Sequence, residues 1–175
     1  MIEQRRRLDT VLDPDYVEGL EGVTLEDLRS RRSVADEVET ELSYYRRLLH
    51  GRMDLLHFEQ RRRSGTETRT LIEALPEILG ANETVGGSGG GRMTQTLAPE
   101  LPDVGRREID RVLEADFLTR LPSLTDAEVE EALTSLEEVE QEISRHRRAV
   151  QRVFDLLQAE IAARYRDGRA QPTLA

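Results

Sequence analysis

A chain of 175 residues that is 34% charged but only 4% aromatic lacks the bulk for a thick globular core and suits long exposed helices sharing a thin seam. Its formal net charge of −10 argues against direct DNA binding and for contact with a basic protein surface. The absence of cysteine excludes disulfides and thiolate metal sites. No stretch is apolar enough to cross a membrane or act as a signal core, so the cytoplasm is the expected compartment.

In chain order, residues 1–10 are polar, with Arg5, Arg6 and Arg7 together, and read as a solvated end. Asp13-Pro14 reads as a cap and first helical position for a short helix through Leu20, which Gly19 and Gly22 close. Its small apolar face, Tyr16, Val17 and Leu20, needs a surface to dock on. Residues 1–23 are thus a tail and a short helix.

Thr24 caps the first long helix, with Glu26 and Asp27 in its first turn, and Arg61-Arg62-Arg63 suit its C-terminal end. Apolar residues recur every seventh position within 24–63, at Leu28, Ala35, Leu42, Leu49 and Leu56. In 125–165 they recur at Val129, Leu136, Ile143, Val150 and Leu157. Heptads sustained over this length predict a coiled coil. The companion positions of the first helix, Arg32, Glu39, Arg46, Met53 and Gln60, are mostly polar, which weakens a seam and calls for another role. Gly51 lies mid-helix, either as a tolerated glycine or to admit a flat ligand.

Residues 64–105 read as a flexible linker with a short helix near 66–79, in which Pro76 is awkward. Its run Gly86-Gly87-Ser88-Gly89-Gly90-Gly91 lacks the preceding strand and following Lys of a phosphate loop. Residues 106–121 form an amphipathic lead-in, Pro122 ends it, and Ser123 or Thr125 caps the second long helix. Gly168 closes the 106–168 section, and 169–175 is a tail.

Within the second long helix, Glu140, Ser144, Arg147, Gln151 and Asp155 are spaced by four, three, four and four residues. At about 100° per residue they stay within roughly 80° of arc, in a stripe roughly 22 Å long. The first helix carries the same stripe as Glu39, Ser43, Arg46, His50 and Asp54, with His50 in place of Gln151. The correspondence continues without a gap: Leu12, Leu20 and Thr24 fall on Leu113, Leu121 and Thr125. One unit occurs twice.

This double pattern resembles the actinobacterial anti-sigma factor RsiG family, which is marked by two copies of E-x3-S-x2-R-x3-Q-x3-D on an antiparallel helical pair. The resemblance implies binding of a cyclic di-GMP dimer, two ligand molecules, and ligand-dependent sequestration of a sporulation-type sigma factor of the WhiG kind. It assigns ligand binding to Glu39, Ser43, Arg46, His50, Asp54, Glu140, Ser144, Arg147, Gln151 and Asp155, with His50 departing from the family residue.

The residue types suit that ligand. Arginine can fork onto guanine O6 and N7, stack on a base or meet a phosphate. A carboxylate can accept from guanine N1–H and its exocyclic amine, and the stripe's acids can also hold its arginines in place. Eight acids and no base between Asp126 and Glu142, followed by Arg145, Arg147, Arg148 and Arg152, form either a partner face beside an anion-binding band or two solvated faces. The histidines, His50, His57 and His146, have no partner set for catalysis, so no enzyme is expected. The expected fold is all-α: an antiparallel two-helix coiled-coil hairpin with short flanking helices and a flexible linker. The competing function is a structural coiled-coil adaptor without nucleotide.

Overall fold

The computed structural model describes residues 2–84 and 117–168. The Gly-rich run, the lead-in up to residue 116 and the tail from 169 lie outside the described residues. Five α-helices are present among the described ones: α1 (Ile2–Leu12), α2 (Leu25–Arg63), α3 (Leu71–Thr84), α4 (Phe117–Arg120) and α5 (Asp126–Arg166). No strand occurs among them.

Capping side chains set the starts of the long helices. Thr24 Oγ1 accepts from the Asp27 amide at 3.1 Å and donates to Asp27 Oδ2 at 2.7 Å. At α5, Thr125 Oγ1 accepts from the Glu128 amide, and Glu128 Oε2 accepts from the Thr125 amide at 2.7 Å, a reciprocal box. Thr70 and Glu73 make the same box before α3. Gly65 and Gly168, at φ 77° and 70°, adopt the left-handed conformation that ends α2 and α5.

The amino terminus differs from the sequence expectation. Residues read as a solvated end form α1, because Val11 and Leu12 lie one helical turn beyond Leu8 and so share an apolar face with it. Val11 is fully buried, Leu8 and Leu12 pack on the same core, and Arg7 pairs with Glu37 at 2.5 Å and Glu41 at 3.2 Å. The expected helix to Leu20 is instead two 3-10 turns, Pro14–Tyr16 and Leu20–Gly22. Asp13 caps the first, and Gly19, left-handed at φ 61°, interrupts the run.

The chain divides into two compact units. In the first, residues 2–43 with 144–168, the core is Val11, Leu28, Ala35, Val38, Val150, Leu157 and Ile161. Arg29 donates to the Tyr165 hydroxyl, Arg32 to Gln158 at 2.8 Å, and Arg147 to Glu39 at 3.2 Å. Numbers rise on α2 as they fall on α5, so the packed helices are antiparallel. In the second, residues 44–84 with 117–143, Leu49, Leu55, Leu56, Phe58, Ala74, Ile78, Leu121, Val129, Leu133, Leu136 and Ile143 are buried. Arg46 to Glu140 and Arg63 to Asp126 give the same direction there. The fold is all-α with the two long helices packed together, as expected. The heptad positions form the seam in both units: all are buried except Leu42, which is partly buried. Burying an aliphatic side chain of this size contributes about 1.5–3 kcal/mol, so the seam is the main apolar term holding the helices together.

Candidate functional site

Each stripe occupies consecutive turns of one helix because no glycine or proline bends the 125–167 segment and only Gly51 interrupts the first. The helix pairing then brings the glutamate of each copy to the arginine of the other.

In the first unit, Glu39 Oε1 accepts from Ser43 Oγ, one turn on, at 2.8 Å and from Arg147 Nη1 on α5 at 3.2 Å. Arg147 Nε is buried and has no hydrogen-bond partner among the described residues. Ser144 is half-buried, and Gln151 and Asp155 are exposed on the same helix. In the second unit, Glu140 Oε1 accepts from Arg46 Nε at 2.9 Å and stands 3.1 Å from His50 Nε2. Asp54 is half-buried, one turn beyond His50.

The repeat therefore makes one pairing twice: Arg46 with Glu140 and Arg147 with Glu39. Of the stripes' acids the two glutamates hold the arginines, and they do so across to the opposite helix. The copies differ where their residues differ. His50 reaches Glu140, whereas its counterpart Gln151 is exposed. All four charged partners keep 16–32% of their side-chain surface in water, so each pair contributes at most about 1 kcal/mol. The pairs are weak enough to be exchanged for contacts with an incoming molecule. The open Nε–H of Arg147 costs about 1–3 kcal/mol while it lacks an acceptor. A ligand oxygen or ring nitrogen would supply one.

Two further pairs escaped the sequence reading. Glu59 and Arg63 end α2, and Glu160 and Arg164 end α5. They fall on one another at the same offset as the stripes, and that offset was the signal that could have found them. Arginine hydrogen bonds, from Arg62 first, hold the Glu59 carboxyl below the ordinary glutamate range against the opposing effect of burial.

Among the described residues, no group of three His, Cys, Asp or Glu side chains could hold a metal, and no helix is long and apolar enough to cross a membrane. No curated protein matches the chain. A family model described as RsiG-like matches residues 14–79 and 115–175, which include both stripes and both end pairs but not α1. RsiG-like proteins are anti-sigma factors rather than enzymes, and their partner is a sigma factor. By that match, which covers well over half of its length, the chain belongs to the RsiG-like family.

Proposed function

We propose that this anti-sigma factor is governed by cyclic di-GMP: its two stripes hold two molecules of the ligand, and the loaded protein holds a WhiG-type sigma factor inactive in the cytoplasm. The observation that carries the reading is Arg147, whose buried Nε–H lacks an acceptor among the described residues, beside a weak, exchangeable pair with Glu39. Guanine N7 and O6 or a phosphate oxygen would complete its donor fork. Asp155, exposed two turns along α5, is suited to accept from guanine N1–H and the exocyclic amine. Arg46 and Asp54 are their counterparts on α2.

Ligand and sigma factor are then thermodynamically linked. Whatever factor the ligand adds to sigma affinity, sigma adds to ligand affinity. A coiled-coil adaptor would account for the reciprocal Arg–Glu pairs, but it leaves the cost of the open donor without compensation.

Calorimetric titration with cyclic di-GMP tests the reading. Asp155→Ala removes a charge-assisted contact of about 1.5–3 kcal/mol, so binding should weaken by roughly 10- to 150-fold with helicity intact. Binding of normal strength by that variant, or no binding by the unaltered chain, would remove the nucleotide from the account.

A further inference from the structure

The apolar seam cannot by itself decide which turn of α2 faces which turn of α5. Its positions recur every seven residues on both helices: Leu28, Ala35, Leu42, Leu49 and Leu56 against Val129, Leu136, Ile143, Val150 and Leu157, all buried but the partly buried Leu42. A slide of one heptad, about 10 Å, sets aliphatic side chains against aliphatic side chains again. The connection between α2 and α5, some sixty residues long by sequence, has reach enough to span either register. Yet Arg46 meets Glu140 and Arg147 meets Glu39 in only one register. Those pairs are weak and half-hydrated, so they are poor candidates for setting it.

The helix ends carry a mark that does not repeat every seven residues. Arg164 is buried to 8% exposure. Its Nε donates to Glu160 Oε1 at 2.8 Å. Its Nη1 donates to the Val23 carbonyl at 2.6 Å and its Nη2 to the Leu20 carbonyl at 2.7 Å. Leu20 and Val23 belong to the turn that enters α2. Arg63 does the corresponding thing at the end of α2. Its Nε donates to Glu59 Oε1 at 2.7 Å, its Nη2 to the Leu121 carbonyl at 3.3 Å and its Nη1 to Asp126 Oδ1 at 2.7 Å. Leu121 lies in the turn that enters α5 and is 1% exposed. Glu59 is 4% exposed and is held by Arg62 as well.

Each arginine, braced by the glutamate four residues before it, therefore grips the start of the opposite helix through backbone carbonyls. The Leu20 and Leu121 carbonyls lie in the 3-10 turns before the long helices, where each also accepts a backbone amide, from Val23 and Leu124, and offers its second lone pair to the arginine. Sliding one heptad carries them about 10 Å away and strands a largely buried guanidinium. The planar fork adds geometric selectivity, since its donors diverge at fixed angles.

We infer that Glu59–Arg63 and Glu160–Arg164 are register clamps: positioning residues that fix the stagger of α2 on α5 and so bring each stripe's arginine to the other's glutamate. The inference does not depend on which ligand the stripes take.

Disulfide reporters in the full chain test it, helped by the absence of native cysteine. Arg32→Cys with Gln158→Cys reports the observed register, because the two positions face each other across α2 and α5, their native side chains hydrogen-bonded to one another. Arg32→Cys with Tyr165→Cys, or with Gln151→Cys, reports a slide of one heptad in either direction. With both clamps intact, redox equilibration should yield mainly the first disulfide. Arg63→Gln with Arg164→Gln should cut that yield at least about threefold and raise a slipped product. Arg→Lys at both positions should restore part of the original pattern, since an ammonium still donates to a carbonyl. An unchanged pattern in the double glutamine variant would overturn the inference. If that variant loses its helical circular dichroism, Glu160→Gln alone decides: it removes one brace, and slipped product should appear at intermediate yield. Its complete absence would overturn the inference equally.

Discussion

Replacing Arg147 by methionine separates ligand binding from stability. The unaltered side chain makes one cross-helix pair at 3.2 Å, between partners 27% and 24% exposed. Solvent screening limits its contribution to at most about 1 kcal/mol. Against that stands a buried Nε–H without an acceptor among the described residues, which costs about 1–3 kcal/mol. Methionine keeps most of the aliphatic volume and carries no donor to satisfy. Arg147→Met should therefore leave thermal stability unchanged or raise it by up to about 3 kcal/mol, the span left when a pair worth nothing to about 1 kcal/mol is set against that cost. It should also weaken cyclic di-GMP binding by roughly 10- to 150-fold, because the ligand loses a charge-assisted fork. Calorimetry and thermal unfolding of the same preparation measure both. A variant that is clearly less stable yet binds ligand normally would show Arg147 to be a structural strut and refute the reasoning.

Leu157→Ala, at a fully buried seam position, should cost about 2–5 kcal/mol in chemical unfolding, whereas Leu156→Ala, at a side chain 53% exposed, should stay within about 0.5 kcal/mol. Glu59 has a lowered folded-state pKa, so its contribution is complete above the ordinary glutamate range and is lost as pH falls through the folded value. Glu59→Gln should accordingly lower the melting temperature at neutral pH, with the difference from the unaltered chain narrowing as pH falls below the ordinary glutamate range and gone once it has passed the lowered folded-state value. His50→Gln releases one contact to Glu140 and makes the two stripes alike, so calorimetry should find ligand binding retained; its loss would make His50 indispensable to the site.

The long helices and their seam were legible because burial on a helix has a period, and Leu28, Leu49, Val129 and Leu157 sit on it. The stripes were legible because polar residues at seam positions conflict with that period twice, at one offset. The pairing of Arg46 with Glu140 was not. A helical wheel puts both stripes at an edge but cannot say which turn of one helix meets which turn of the other. The helix at the amino terminus was hidden because Arg5, Arg6 and Arg7 dominate its composition, while three apolar residues, Leu8, Val11 and Leu12, decide its fate. Leu55 and Leu156 show a further limit. They are equivalent in the repeat, yet one is 5% and the other 53% exposed. Burial on the outer face of a helix depends on what packs there from elsewhere in the chain, and the repeat carries no record of that. Arg63 read as a charge suited to a helix C-terminus, whereas its chief partners are Glu59, Asp126 and a carbonyl before the opposite helix.

Association with a purified WhiG-type sigma factor, followed across a titration of cyclic di-GMP, tests the central claim most directly. The expected result is weak association without nucleotide and saturable tightening as the nucleotide is added. Arg46→Ala combined with Arg147→Ala should abolish that tightening. Association equally tight at every nucleotide concentration, and indifferent to those two substitutions, would contradict the account and leave an anti-sigma factor without the nucleotide switch.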